Sequence, residues 1–266
     1  MAMSDAAATM PRRLAGRTAL VTGGSQGIGA EICRRFAAEG AEVGVVASAS
    51  LDKAETVAGE IRAAGGRARP YVCDVGEVAA IERLVADAKA DFGRIDILVN
   101  CAGVFFPTRL GETDEAMWDR MCDVNLKGVF FACNAVAPAM KARGDGRIVN
   151  IASGAGLSGR SNYLVYSAVK AGVVNLTRAL AAALAPHGVN VNCLAPGNTE
   201  TPINENVRTE AEYAPVRAAI RARTPSARLF SDPAEIAAGA AFLASDEARA
   251  MHGSVLVMDE GVLAGY

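Results

Sequence analysis

From residue 18 almost to the end of the chain, short apolar runs rich in β-branched residues alternate with stretches of helical period. Seven runs qualify as strands: Thr18–Thr22, Val43–Val46, Tyr71–Val75, Ile95–Asn100, Arg147–Ile151, Val189–Leu194 and Val255–Met258. None alternates polar with apolar residues, as a strand half in water would, so each is expected to be covered on both faces. Between them, Ile28, Ile32 and Phe36 recur at i, i+4 and i+8, while Val78, Ile81, Leu84, Val85 and Ala88 mark a second stripe. Strand, helix, strand, repeated along a chain, dictates a parallel sheet with right-handed crossovers. The expected fold is therefore α/β, a doubly wound parallel sheet of about seven strands with helices on both faces.

At 266 residues the chain could form one large domain of this kind or two small ones. No linker rich in Pro, Gly or Ser divides it and no period of 20 to 50 residues recurs, which favours a single domain over 17–266. The Ala-rich opening, 1–16, has no continuous apolar stretch before Pro11-Arg12-Arg13, so it is expected to be a flexible tail and not a signal peptide. One segment breaks the rhythm. Glu200–Arg228 is charged, contains Pro202, Pro215 and Pro225, and precedes a helix opened by Ser231-Asp232-Pro233. An insertion of that length after a late strand is expected to form a lid, at about 200–228, over the carboxyl edge of the sheet.

Composition closes off several function classes. Lys and Arg number 27 against 29 Asp and Glu, a net charge of −2, and the basic residues are scattered, so no nucleic-acid footprint is present. Apolar stretches such as Ile236–Ala244 fall short of the ~20 residues that cross a bilayer, so no membrane partner is expected. The six cysteines form no Cys-x-x-Cys and only two histidines accompany them, which excludes the usual zinc spacings and leaves no metal site expected. Each cysteine lies among small apolar residues, as buried reduced thiols of a cytoplasmic protein do.

Thr22-Gly23-Gly24-Ser25-Gln26-Gly27-Ile28-Gly29 follows the first strand and opens the first helix. Glycines at 23, 27 and 29 allow a tight turn, close approach of backbone to a pyrophosphate and close packing of helix on strand, with helix N–H groups facing the anion. A kinase-type P-loop would need Gly-Lys-Ser/Thr, and none occurs. At the end of the second strand, where an acid would bind the adenosine 2′-hydroxyl of NAD, the sequence is Val46-Ala-Ser-Ala-Ser50. No acid repels a 2′-phosphate there. No Arg is present and Gln26 is neutral, which leaves Ser48, Ser50 and Lys53 as partners and favours NADP(H) over NAD(H).

Tyr166-Ser-Ala-Val-Lys170 places a phenol and an ammonium on one face of a helix running to about Leu184. A tyrosine of pKa near 10 works as an acid or base near pH 7 only if its anion is stabilised by about three units, roughly 4 kcal/mol. An adjacent ammonium and an oxidised nicotinamide ring supply a field of that sign. Tyr163 lacks the partner, since position 167 is Ser. Thirteen residues before Tyr166, Ser153 closes the fifth strand, where its hydroxyl can donate to a carbonyl oxygen in the crevice. No histidine is placed for a hydrolase triad, and Gly-x-Ser-x-Gly does not surround Ser153.

Together these residues resemble the short-chain dehydrogenase/reductases, a Rossmann-type family, over about residues 14 to 261. Gly23, Ser25, Gln26, Ile28 and Gly29 resemble its cofactor loop, and Asn100-Cys-Ala-Gly103 its Asn-Asn-Ala-Gly motif, with Cys101 in place of the second Asn. Asp123-Val-Asn125 carries the asparagine of its catalytic tetrad, beside Ser153, Tyr166 and Lys170. Pro196-Gly197 with Thr199 and Thr201 is similar to its nicotinamide-side turn, although Thr199 stands where an aliphatic residue is usual. The end Val257-Met-Asp-Glu-Gly261 departs from the family's Val-Asp-Gly-Gly, with Glu260 for Gly. The resemblance implies hydride transfer between nicotinamide and a small-molecule carbonyl or alcohol, as in compact 3-oxoacyl-carrier-protein reductases and sugar or alcohol dehydrogenases. It implies that Tyr166 is the general acid in reduction, that Ser153 holds the carbonyl oxygen, and that Lys170 lowers the Tyr166 pKa and binds the nicotinamide ribose. Asn125 would position a water linking Lys170 to solvent, Ser48 would face the adenosine, Asp74 and Val75 would flank the adenine, and Asn100, Ala102 and Gly103 would lie on the adenosine ribose side.

The substrate pocket is expected between Val104, Phe105 and Phe106, the stretch Gly154–Tyr163 and the 200–228 lid. Arg160, Arg208, Arg217, Arg221 and Arg223 either meet an anionic substrate or are solvated at the surface. The helix from Tyr166 to Leu184 is apolar on several faces, which either its own chain or a symmetry mate covers, and the resemblance implies a homotetramer. Two other functions compete: an epimerase or dehydratase, which needs a longer C-terminal substrate domain, and a non-catalytic dinucleotide-sensing protein, which would have lost Tyr or Lys.

Overall fold

In the computed structural model, which describes residues 12–264, seven strands form one sheet. They are β1 (Thr18–Thr22), β2 (Glu42–Ala47), β3 (Arg67–Val72), β4 (Ile97–Asn100), β5 (Gly146–Ile151), β6 (Val189–Pro196) and β7 (Val255–Met258). All neighbours are parallel, in the order β3-β2-β1-β4-β5-β6-β7. The chain lays strands outward from β1 to β3, returns, and continues outward from β4 on the other side. The crevice at the carboxyl ends of β1 and β4 is thus the topological switch point, with Thr22 in register with Asn100.

The helices are α1 (Gly27–Ala38), α2 (Leu51–Ala63), α3 (Val78–Phe92), α4 (Glu115–Cys122), α5 (Gly128–Arg143), α6 (Leu164–Leu184), α7 (Glu205–Thr209), α8 (Ala214–Ala222) and α9 (Pro233–Ala244). Side chains along each central strand feed two cores in turn. Val21, Val45, Val99 and Val149 meet Phe36 of α1, Val57 of α2 and Ile236 of α9. Leu20, Val46, Leu98 and Ile148 meet Ile81 of α3, Val136 of α5 and Val173 of α6. Because both faces are apolar, no alternation is visible in sequence. Some helix starts are fixed by side-chain caps: Asp114 accepts from Met117 N–H at 2.8 Å at the start of α4, and Asp232 forms a capping box with Glu235 at the start of α9.

The third strand differs from its expected limits, Tyr71–Val75. It runs Arg67–Val72 on the sheet edge, with exposed Arg67, Arg69 and Val72 alternating against buried Ala68 and Tyr71. An edge strand tolerates Pro70 and polar residues, which disguised its first half. Residues 73–75 continue past it toward the crevice. The expected tail also ends earlier: residues 1–11 lie outside the described residues, but Leu14 is buried and Arg13 pairs with Glu39 at 2.6 Å. The stretch Leu164–His187 is long and apolar enough to cross a bilayer, with a mean hydropathy of 1.3 over an 18-residue window, contrary to the expectation that no stretch would be. It includes α6, whose Val169, Val173, Val174 and Leu184 are buried within its own chain. All six cysteines are free thiols, Cys101 and Cys122 only half-buried.

A candidate active site at the switch point

Glycine shapes the floor of the crevice. Gly23 and Gly27 have φ of 66° and 52°, where side chains are strained, and α1 starts at Gly27 with its first N–H groups facing outward from the sheet end. A Cβ on Gly29 would lie 2.1 Å from the Gly23 carbonyl oxygen, and one on Gly23 would lie 2.7 Å from the Ala102 backbone. The loops after β1 and β4 are therefore pressed together. Thr22 holds them there, its hydroxyl accepting from the N–H groups of Cys101 and Ala102 at 3.2 Å each.

Above this floor lies a cavity of about 640 Å³. Gly23, Ser25, Gln26, Ile28, Gly29, Ser48, Asp74, Val75, Ala102, Gly103, Asn125, Ser153, Tyr166, Lys170, Pro196, Gly197, Thr199 and Thr201 all line it. Asn100 does not. Its side chain turns into the core and donates to Asn150 Oδ1 at 2.9 Å, and Asn150 in turn donates to the Thr177 hydroxyl of α6 at 3.0 Å. This buried chain ties β4, β5 and α6 together, so the Asn100 side chain has a structural role. Ser50 caps α2, accepting from Lys53 N–H at 3.4 Å, and lines the cavity wall together with Ser48 and Lys53.

Four polar side chains gather at its inner end. Tyr166 and Lys170 project from one face of α6, and Lys170 Nζ sits 5.7 Å from the Tyr166 ring centre. Its ammonium donates to the Ile151 carbonyl oxygen at 2.9 Å. Ser153 lies two residues beyond β5 and accepts from Ala155 N–H at 3.1 Å, which leaves its own O–H to donate. Asn125 sits on a π-helical turn, Asp123–Lys127, inserted between α4 and α5. Its amide donates to the carbonyl oxygens of Val104 and Met121, both at 3.1 Å, while its Oδ1 is buried without a partner. A Cβ on Gly103 would lie 2.8 Å from that oxygen and 3.9 Å from Lys170 Nζ, so the space between Asn125 and Lys170 exists because residue 103 has no side chain.

Burial decides the resting protonation of the pair. It pushes the Tyr166 hydroxyl up to about 12, although its hydrogen bond with Ser153 works the other way. It holds Lys170 down to about 8. Desolvation is the largest influence on both groups, and the Lys170 ammonium, with one of its donors on Ile151, stays on the Tyr166 face of α6.

The outer walls differ from expectation in detail. Phe105 stacks on Tyr163 with ring centres 4.4 Å apart and stands edge-on to Tyr166 at 4.9 Å. Phe106 instead packs in a small core with Met121, Val165 and Val169, away from the cavity. Of the arginines, Arg160 and Arg223 line the cavity. Arg208 is held by Asn204 and Thr201, and Arg217 donates to the carbonyl oxygens of Val207 and Glu210, each at 2.8 Å. Sequence reasoning missed Asp259, Val262 and Leu263, which close the far wall after β7. The only signal for them was the Asp-x-Gly turn itself. It also missed Thr108, whose fully buried hydroxyl accepts from Val165 N–H at the start of α6.

A glycine cradle of this shape, with an orphaned Asn125 oxygen above it, fits a nicotinamide dinucleotide, and a doubly wound sheet carrying it at the switch point defines the class of nucleotide-linked oxidoreductases. Comparison with known proteins agrees. The family model for short chain dehydrogenases matches residues 17–212. D-threitol dehydrogenase of Mycolicibacterium smegmatis is 39% identical over 252 residues, 94% of each protein. The 3-oxoacyl-[acyl-carrier-protein] reductase of Thermotoga maritima is 37% identical over 251 residues, 94% of this chain and 99% of the reductase. Among solved structures, gluconate 5-dehydrogenase from Burkholderia cenocepacia in complex with NADP and tartrate superposes with a TM-score of 0.89 at 35% identity, covering 95% of this chain and 97% of its own. The chain belongs to the short-chain dehydrogenase family.

Proposed function

We propose that this protein transfers a hydride between nicotinamide and the carbon of a secondary alcohol or carbonyl, with NADP(H) favoured over NAD(H) and Tyr166 as the proton donor and acceptor. The observation that carries this reading is the meeting of Tyr166, Ser153, Lys170 and Asn125 in the same cavity as the glycine floor. When bound, the dinucleotide supplies the hydride carrier, resting on Gly23 to Gly29 and on the N-terminus of α1. Ser48 and Lys53, with no carboxylate at the end of β2, suit a 2′-phosphate. Asp74 lies nearby but is paired with Arg120 at 3.1 Å.

In reduction, the Ser153 hydroxyl donates a hydrogen bond to the carbonyl oxygen and the Tyr166 hydroxyl gives that oxygen its proton. The tyrosinate left behind is stabilised by the Lys170 ammonium. Asn125 Oδ1, buried and unpartnered, accepts from a water or a hydroxyl beside Lys170, which returns a proton to the pair. In oxidation the same atoms act in reverse. The segment 200–228 supplies Ile203, Val207, Ile220 and Arg223 as the roof over the substrate.

Relatives acting on D-threitol and gluconate support a small hydroxylated substrate, and Arg160 and Arg223 in the wall suit a sugar acid among such molecules. Absorbance at 340 nm tests this over a panel of polyols, sugar acids, simple ketones and acyl thioesters with NADPH and NADH. Turnover of at least one compound is expected. A flat response across the panel with tight NADPH binding would identify a nucleotide sensor instead.

A further inference from the structure

Glu260 is one of two non-glycine residues with positive φ among the described residues, at 59°, and the other, Ala227 at 66°, lies beside it in space through the bond from Ser226 N–H to the Glu260 carbonyl oxygen at 3.2 Å. Such a backbone is disfavoured for a side chain and persists only where the surroundings impose it. Here the side chain has work to do. Its carboxylate accepts from the Ser226 hydroxyl, from Arg228, and from the Ser231 hydroxyl at 2.8 Å. The glutamate side chain is only 11% exposed, and Arg228 is held from its other side by Glu235 at 2.9 Å. Arg228 and Ser226 keep the carboxyl down at about 2, so it is ionised at any physiological pH.

The partners define what is being held. Ser226 and Arg228 lie on the returning limb of the segment 200–228, and Ser231 follows just beyond it, before α9. Ser231 is buried and also binds the outgoing limb, donating from its N–H to the Asn198 carbonyl oxygen at 2.8 Å and accepting at its own from Glu200 N–H at 3.0 Å. Both limbs of the excursion are therefore gathered at one carboxylate. That carboxylate belongs to the turn after β7, whose neighbours Asp259 and Val262 form the opposite wall of the cavity.

We infer that Glu260 is a positioning residue for the substrate pocket: by clasping the two limbs of segment 200–228 to the turn after β7, it fixes Ile220, Arg223 and Thr224 against the far wall. The inference rests on the proposed function for its kinetic consequence, but the clasp itself can be tested without a substrate. Hydrogen exchange is followed on the full-length protein with Glu260→Gly, Glu260→Gln and Arg228→Ala. Glycine accepts the backbone at 260, so folding is retained while the carboxylate is lost. Amides in 200–228 are expected to exchange at least fivefold faster in Glu260→Gly and Arg228→Ala, with those of α6 unchanged, and Glu260→Gln should fall between. With a turned-over substrate, KM should rise at least fivefold in Glu260→Gly, while kcat and the NADPH Kd stay within about twofold. Unchanged exchange in 200–228, acceleration spread over the whole chain, or faster exchange with an unaltered KM would each overturn the inference. If the wild type turns over no compound at all, the proposed function fails, and the exchange rates still decide the clasp.

Discussion

The ammonium of Lys170 donates to the carbonyl oxygen of Ile151 at 2.9 Å inside a wall that burial makes hostile to charge. Its pKa of about 8 lies below the ordinary 10.5, so the folded state binds its proton less tightly than the unfolded chain does. The charged lysine thus costs stability below pH 8, and that cost disappears as pH rises from 8 through 10.5. Lys170→Met removes it, at up to about 3 kcal/mol for a gap of this size. Thermal denaturation should show the variant more stable than wild type at pH 7, with the difference shrinking at pH 10. An advantage that grows with pH would contradict the assignment.

Tyr166 carries the only hydroxyl in the proposed reaction that both lines the cavity and sits on the Lys170 face of α6. Tyr166→Phe should lower kcat by at least about a thousandfold, within the range general acid–base groups contribute. The fluorescence titration of NADPH should change little. Retained turnover in that variant would remove tyrosine from the chemistry.

Thr108 couples the loop carrying Phe105 to the helix carrying Tyr166. Its hydroxyl accepts from Val165 N–H at 3.0 Å, its carbonyl from Leu164 N–H at 3.1 Å, and its N–H donates to Asn162 at 2.9 Å. Thr108→Val keeps the shape but leaves a buried helix N–H unpaired, at about 1–2 kcal/mol. Chemical denaturation should register that loss, and kcat should fall further than in a variant of equal stability made elsewhere.

Two glycines make opposite predictions for one substitution. Gly29→Ala drives a methyl to 2.1 Å from a fixed backbone oxygen and should weaken NADPH binding at least tenfold. Gly59→Ala, inside α2, meets nothing closer than 3.8 Å and should stabilise the protein by about 0.5–1 kcal/mol with binding intact. Calorimetry on both variants decides it.

Lys53 lies on the cavity wall beside Ser48, where a 2′-phosphate would be held. Lys53→Ala should therefore weaken NADPH about tenfold and NADH less than twofold. Equal losses would place the lysine elsewhere in the nucleotide site.

Central strands and the Tyr166–Lys170 pair were legible in the sequence because their signals are local: β-branched runs flanked by glycine, and two residues one helical turn apart. Edge strand β3 was half hidden, since one exposed face lets Arg67, Arg69 and Pro70 pass for a loop. The structural role of the Asn100 side chain was hidden for a different reason. Its backbone is where the family pattern puts it, but which way a side chain turns at a strand end depends on Asn150 and Cys133, partners 50 and 33 residues away. The wall from Asp259 to Leu263 was invisible because only the sheet order brings the end of β7 beside β6. Phe105 and Phe106 are adjacent in sequence, yet Phe105 lines the cavity while Phe106 joins a small core with Met121, Val165 and Val169, a division that only the packed structure decides.

The π-helical turn at Asp123–Lys127 makes α4 and α5 a single rod with one residue more than its length requires. Removing one residue from those five would let an uninterrupted α-helix cover about the same length, and the wide turn would be lost. With it would go the backbone that sets Asn125 Oδ1 against Gly103. The rod is therefore a counted object: it tolerates exchange of residues along most of its surface, but at this turn its length in residues is as much a part of the site as their identity.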